Sequence, residues 1–229
     1  MGLEIAKKAA GEKAATLIEN GMIVGLGTGS TAAYFIEALA LKCKQGLRIK
    51  AVASSHRSAE LAKKRGIPIF DLNEMTHVDV TVDGADEIDH QKRMIKGGGG
   101  AHVREKILAA AGAELIIIVD ESKVVKTLGT KKLPIEILPY GSTFARKKIE
   151  AMGYAGKWRC SDASHLNQEL FVTENGNFLL DIALKTPLQS PEKLEAQILQ
   201  IPGVVDTGFF FHMAGRVIVG KSDGTTFSI

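Results

Sequence analysis

The chain is 229 residues long, 45% apolar and 24% charged, with a net charge of +3; that length suits one large domain, or a large and a small one, around a real core. So small a charge argues against a nucleic-acid binder working through a broad basic surface, and no apolar run approaches the roughly 20 residues of a membrane span or forms a signal-peptide core. Two isolated cysteines, Cys43 and Cys160, lack both C-x-x-C and zinc spacing, which points to a reducing compartment, the cytoplasm by default.

The first half alternates helix and strand patterns. Residues 3–19 read as a helix with Ala6, Ala9, Ala10, Leu17 and Ile18 buried, and Gly21 ends it. Strand patterns follow at 22–26, 49–53 and 67–70, with helices over 32–41 and 59–64 between them. Val78, Val80 and Val82 alternate with polar residues, so that strand is expected to have a less buried face. Met94 and Ile95 precede four glycines, a helix spans 101–111, and 114–119 is a strongly apolar strand. Repeated β-α units of this size imply a mostly parallel sheet covered by helices, a Rossmann-like α/β domain.

The pattern changes near Gly129. A strand at 133–138, a helix at 143–152, a strand at 157–160 and a hairpin over 170–184 turning at Asn175-Gly176 come next. A helix capped by Ser190, with Pro191 in its first turn, leads into a long strand over 204–211. This β-α-β, β-α-β order predicts a smaller, ferredoxin-like α+β domain. The expected division is 1–129 with 207–229, and 130–206; the strands at 209–211 and 217–219 return to the first domain.

Four segments carry candidate chemistry, all where a strand pattern ends, the edge at which open α/β sheets bind ligands. The first, Gly25-Leu26-Gly27-Thr28-Gly29-Ser30-Thr31, offers converging N–H groups, hydroxyls and a helix N-terminus to an anion. It is neither a Walker A loop nor a G-x-G-x-x-G fingerprint, and a plain strand-to-helix turn is the alternative. The second, Asp83-Gly84-Ala85-Asp86-Glu87, crowds three carboxylates, which raises carboxyl pKa values and suits proton transfer; an acidic surface turn is the alternative.

The third segment runs from Lys96 through Gly97, Gly98, Gly99 and Gly100 to Glu105. Successive glycines cost backbone entropy, so a close approach to a ligand explains them better than a linker. Glu105 sits on a helix that is apolar on most sides; its alternative is an exposed glutamate paired with Arg104 or Lys106. His102 reads as a helix-surface residue. The fourth, Asp120-Glu121-Ser122-Lys123, places Lys123 for a phosphate or hydroxyl, or else is a helix cap with a solvated lysine. The histidines at 56, 77, 90, 102, 165 and 212 form no H-x-H or H-x-x-x-H pair, so no metal site is expected.

In register, these segments resemble the ribose-5-phosphate isomerase A family. The resemblance covers nearly the whole chain, through GLGTGST at 25–31, VDGADEID at 82–89, IKGGGGA at 95–101, REK at 104–106, DESK at 120–123, LPIEILP at 133–139, ENGNFLLD at 174–181 and IPGVVDTGFF at 201–210. It implies interconversion of ribose 5-phosphate and ribulose 5-phosphate in the non-oxidative pentose phosphate pathway by a homo-oligomer, expected to be a dimer, and no cofactor is expected. It implies Glu105 as proton acceptor, and substrate contacts from Thr28, Gly29, Ser30, Thr31, Asp83, Gly84, Ala85, Asp86, Lys96, Gly97, Gly98, Gly99 and Lys123. His102, where an apolar residue is expected, and His56-Arg57, where small polar residues are expected, depart from the pattern.

Such an isomerase moves a proton between C1 and C2, by a metal-assisted hydride shift or through a cis-enediolate. The lack of metal-ligand spacing in the sequence favours the second. Glu105 would then shuttle the proton, with Asp83, Asp86 and Lys96 opening the furanose ring and the glycine turn stabilising the enediolate oxygen. Two rivals stay open on the sequence: a sugar-phosphate sensor without turnover, and an NADP-dependent oxidoreductase using Ser54-Ser55-His56-Arg57. Which turn grips the phosphate is also open.

Overall fold

The computed structural model describes residues 2–161, 169–185 and 188–229, so His165 lies outside the described residues. The first elements are α1 (Gly2–Ala15), β1 (Ile23–Leu26), α2 (Ser30–Lys44), β2 (Lys50–Ala53), α3 (His56–Lys64) and β3 (Val80–Asp83). Then come β4 (Glu87–Ile88), β5 (Met94–Ile95), α4 (His102–Ala111), β6 (Leu115–Asp120), β7 (Leu133–Ile137) and α5 (Ser142–Ala151). The chain continues through β8 (Gly156–Trp158), β9 (Phe178–Ile182), α6 (Pro191–Leu199) and β10 (Val204–Thr207). It ends with β11 (Phe209–Phe210), β12 (Ala214–Gly220) and β13 (Thr226–Ser228).

The main sheet runs β13-β12-β6-β3-β1-β2. All its pairs are parallel except the β12–β13 hairpin. Strand β6 reads as an unbroken apolar run because both its faces are covered. Ile116 and Ile118 join the core with Phe35, Ile36 and Leu39 of α2, whereas Leu115, Ile117 and Val119 pack with Met94 and Phe210 on the opposite face. Alanines at 10 and 14 are fully buried in that first core, so α1 seats closely against α2. The chain leaves β1 toward β2 on one side and later pairs β3 on the other. The ends of β1 and β3 therefore flank a topological switch point, the usual crevice for a ligand.

A second, antiparallel sheet runs β10-β7-β9-β8. In its own chain order that is 4-1-3-2 with α5 and α6 as the two crossovers, the ferredoxin-like arrangement expected. Ile135, Ile149, Leu180, Ile182, Leu194 and Ile198 fill its core.

Several local expectations are corrected. Strand β3 has no open face: Thr81 and Asp83 are as buried as the valines, because Thr81 Oγ1 donates to Leu108 O at 3.1 Å and Asp83 meets a lysine. The strand expected over 67–70 is reduced to one bridge, Ala51 to Ile69. The long strand over 204–211 breaks at Gly208, where a side chain would strike Lys96 O and Pro134. Its halves serve two sheets, β10 beside β7 and β11 beside β5. Only the second arm of the 170–184 hairpin is a full strand; isolated bridges mark the first. Ser190 makes no side-chain cap on α6, although Pro191 begins it.

Candidate active site

Two turns wall the switch-point crevice. The first leaves β1 at Gly27 and enters α2 at Ser30 without a side-chain cap, so the first N–H groups of that helix stay available to an anion. Gly27 is required here by contact, because a Cβ would overlap the Asp83 carboxyl group. Asp83 Oδ1 accepts from Thr28 N at 3.0 Å and Gly84 N at 2.7 Å, tying the end of β3 to that turn. The second turn, from Lys96 to Gly100, links β5 to α4. Asp86 Oδ2 accepts from Gly98 N at 2.7 Å.

Between the turns lies a buried charge cluster. Lys96 Nζ stands 2.9 Å from Asp83 Oδ2 and 3.2 Å from Glu105 Oε2, and donates to Gly84 O at 2.5 Å. Asp83, Lys96 and Glu105 are 1%, 3% and 4% exposed, which removes solvent as the compensating partner. The Lys96–Glu105 pair is close enough for ionic attraction but is not aligned as a hydrogen bond, leaving Glu105 Oε2 without a donor. The ammonium also lies 5.3 Å from the centre of the Phe210 ring.

The electrostatics separate the three groups. Burial pushes the Glu105 carboxyl up to about 8, with Lys96 pulling down and Asp83 adding to the rise. For Lys96, burial opposes the charge, but the two carboxylates outweigh it and hold the pKa above the ordinary lysine value. The cluster therefore has one permanent cation and one carboxyl able to gain and lose a proton near neutral pH.

Over this cluster opens a cleft of about 100 Å³ lined by Thr28–Thr31, Gly84–Asp86, Lys96–Gly99, Glu105 and Lys123. The structure thus brings together Glu105 and every residue named as a substrate contact, with one distinction. Asp83 is not on the cleft wall; it stands behind Lys96.

A family model described as ribose 5-phosphate isomerase A (phosphoriboisomerase A) matches residues 50–224. The chain is 46% identical over 221 residues to ribose-5-phosphate isomerase A of Protochlamydia amoebophila, spanning 96% of this chain and 94% of that protein. Ribose 5-phosphate isomerase from Plasmodium falciparum superposes with a TM-score of 0.92 at 35% identity, over 100% of this chain and 98% of that one. A D-ribose-5-phosphate isomerase in complex with phospho-erythronic acid gives 0.93 at 35% identity, over 100% and 99% of the two chains. The chain belongs to the ribose 5-phosphate isomerase A family.

Against this family background, several side chains sit differently from the sequence reading. Glu87 leaves the acidic group: it is buried and accepts from Gly129 N at 2.8 Å, Lys131 N at 2.6 Å and the Thr130 hydroxyl. Arg104 and Lys106 do not pair with Glu105; they reach Glu174 and Asp206. His102 is fully buried, not on the helix surface, and its Nδ1 has no partner. Burial, with Lys106 nearby, holds its pKa down to about 3.

Ser54 and Ser55 belong to the segment that an NADP-dependent oxidoreductase would use. In this member of the family their hydroxyls instead meet Thr28 Oγ1 at 2.9 and 2.8 Å. Ser55 also caps α3 by accepting from Ser58 N. Asp120 Oδ1 accepts from Ser122 N at 3.0 Å, the cap reading, while Lys123 still reaches the cleft. Arg159, which no motif marked, contacts the second turn from the small sheet. No group of three or more metal-ligating side chains occurs among the described residues, and none of their helices is long and apolar enough to cross a membrane.

Proposed function

We propose that this chain interconverts ribose 5-phosphate and ribulose 5-phosphate through a cis-enediolate, with Glu105 carrying the proton between C1 and C2. The observation that carries the reading is the buried Glu105 beside a permanent Lys96 cation, directly under a small polar cleft. A carboxyl with a pKa near the working pH both takes and returns a proton efficiently. The relative solved with phospho-erythronic acid supports the substrate class, a short phosphorylated sugar.

The roles then follow from the geometry. Ser30, Thr31, the uncapped start of α2 and Lys123 bind the phosphate. Asp86 accepts the C1 hydroxyl proton as the C1–O4 bond of the furanose ring breaks, and returns it to O4, which becomes the C4 hydroxyl. In the open aldose, ionised Glu105 removes the C2 proton; the C–H electron pair forms the C1–C2 double bond and charge passes to O1. Lys96 and the glycine turn stabilise that oxygen. Protonated Glu105 then delivers the proton to C1, as the O2 proton passes to O1 and C2 becomes the carbonyl. Asp83 acts from behind, fixing the Lys96 ammonium. The electrostatic donors are in place before charge develops, so little reorganisation is needed.

Replacing Glu105 by Gln keeps the shape and removes the base. Ketose formation followed directly, without nicotinamide, should fall by at least about 10³-fold. Activity within a few-fold of the parent would sink the assignment. We further propose a cytoplasmic homodimer acting in the pentose phosphate pathway. We also propose the two-part division at about residues 130 and 207; the two distinct cores support it, with Ile95, Leu128 and Phe209 of the first part packing into the second core.

A further inference from the structure

Arg159 follows β8 directly, on the face of the small sheet that looks toward the glycine turn. Its main chain is fixed: Arg159 N donates to Leu179 O at 2.8 Å and Arg159 O accepts from Phe171 N at 2.9 Å. Nε and Nη2 donate to Asp181 Oδ2 at 3.0 Å and Oδ1 at 2.5 Å. Nη1 donates to Gly97 O at 2.9 Å and Gly98 O at 3.2 Å. The two side chains are only 18% and 16% exposed. Lys157 opposes Asp181 across the strands, so Arg159 and Asp181 share one sheet face as diagonal neighbours. A guanidinium held on two edges has little freedom left, and its fork geometry fixes what its third nitrogen can reach.

The consequence for the turn follows from peptide planarity. In a trans peptide the N–H of the next residue points opposite to the carbonyl. Gly97 C=O faces Arg159, and Gly98 N–H points the other way, where it meets Asp86 at 2.7 Å. Gly98 C=O also faces Arg159, so Gly99 N–H is turned away from the small sheet. Among the described residues that N–H has no acceptor in the protein. Gly97, Gly98 and Gly99 all line the cleft. Within the turn Gly100 N donates to Gly97 O at 3.0 Å, but four glycines in succession have little stiffness of their own, and the donor to the Gly98 carbonyl is Arg159.

We propose that Arg159 is a positioning residue for the isomerisation, holding the Gly97 and Gly98 carbonyls so that Gly99 N–H faces the cleft as a donor to the enediolate oxygen. The inference rests on the isomerase reading above. Arg159 touches no reacting atom in this scheme. It acts through the two peptides, and its charge polarises them so that the N–H donates more strongly. Asp181 holds Arg159 in place. The small sheet thereby governs the chemical step, while the first turn and Lys123 govern phosphate capture.

The test is Arg159→Ala, assayed with ribose 5-phosphate. The expected result is a fall of about 10²-fold in kcat, typical of losing one oxyanion donor, with KM moved less than about threefold. Guanidinium ion, added well below unfolding concentrations, should restore part of kcat in Arg159→Ala and none in Glu105→Gln. Phospho-erythronic acid, whose planar carboxylate resembles the enediolate end, should bind Arg159→Ala more weakly by a comparable factor. Inorganic phosphate should bind both proteins alike. Parental kcat in Arg159→Ala, or an equal loss of phosphate and phospho-erythronic acid binding, overturns the proposal.

Should Arg159→Ala fail to fold, Asp181→Asn carries the test: it frees the guanidinium and should lower kcat about tenfold at unchanged KM, and parental kcat overturns the role. A parent protein without isomerase activity refutes the functional reading itself. An active parent with an unaffected Arg159→Ala refutes only this inference.

Discussion

The two turns that wall the cleft are stabilised by different means. The first is held by its own sheet. Thr28 Oγ1 meets Ser54 and Ser55, Ser58 Oγ donates to Gly27 O at 2.6 Å, and Thr28 N donates to Asp83. All of these residues end or follow β1, β2 and β3, so the turn is complete once those strands pair. The second has one bond of its own, Gly100 N to Gly97 O at 3.0 Å, with Asp86 on its own side and Arg159 from the other sheet. Its Gly98 carbonyl gains its donor only when the small sheet docks. Under the proposed roles, recognition of the phosphate and stabilisation of the reacting end depend on different parts of the molecule.

Adding one methyl group to each turn sharpens the contrast most. In Gly27→Ala the new Cβ lands on an Asp83 carboxylate that three partners already fix. The turn or Asp83 must move, and Lys96 moves with it. We expect about 3 kcal/mol of lost stability and a loss of at least about 10²-fold in kcat/KM. In Gly98→Ala the Cβ meets only the end of the half-buried Asp86 side chain, 2.7 Å from Oδ1. That carboxylate can rotate, so stability should change by less than about 1 kcal/mol and kcat by about tenfold. Thermal melts with initial rates on both variants decide this. Equal losses would mean that the turns are equally rigid.

The first turn was far easier to read in the sequence than the clasp on the second. Gly27, Thr28 and Ser30 sit in one short motif between a strand and a helix, and Asp83 and Lys96 likewise follow strand patterns. Sheet topology brings such strand ends together whatever the details. The parallel sheet and the 4-1-3-2 small sheet were legible for the same reason, since apolar periodicity reports which faces are covered. Arg159 had no such signal: its fork depends on a carbonyl pair sixty-odd residues away in the chain. His102 was misplaced because the helix is apolar nearly all round, and polarity alone cannot show that a histidine fills the space beneath Gly97. The break at Gly208 was hidden inside a continuous apolar run that in fact serves two sheets.

The pH dependence of catalysis probes the reacting end alone. In the proposed mechanism Glu105 must be ionised to accept a proton, and burial pushes it up to about 8. Hence kcat/KM should rise about tenfold per pH unit below that value and level off above it. A change confined to the first turn, such as loss of Ser54, should leave this limb in place. A profile flat from pH 6 to pH 9 would remove the buried-base assignment.

His102 offers a gentler probe of the second turn, because a Cβ on Gly97 would stand 2.9 Å from its ring. Its folded pKa of about 3 lies below the unfolded value near 6.5. Between those values the unfolded chain binds a proton that the folded chain does not, so stability falls as pH drops through that window. His102→Leu removes both this penalty and the unpartnered Nδ1. We expect a gain of about 1 kcal/mol at pH 8 and a larger gain at pH 5. Identical gains at both pH values would contradict a buried neutral imidazole.

Ser54→Ala should have the smallest effect and is the cleanest check on the first turn. The hydroxyl donates to Leu26 O at 3.1 Å and lies 2.9 Å from Thr28 Oγ1. Thr28 keeps its bond to Ser55 when that contact is lost, and Leu26 O still accepts from Ser54 N at 3.0 Å. No buried group is stranded, so the cost is that of an ordinary hydrogen bond, about 1 kcal/mol or less. If the first turn serves phosphate capture, KM should rise by up to about threefold with kcat unchanged. Arg159→Ala should show the opposite split. A fall in kcat at constant KM in Ser54→Ala would place the first turn at the reacting end, and the assignment of the two turns would have to be exchanged.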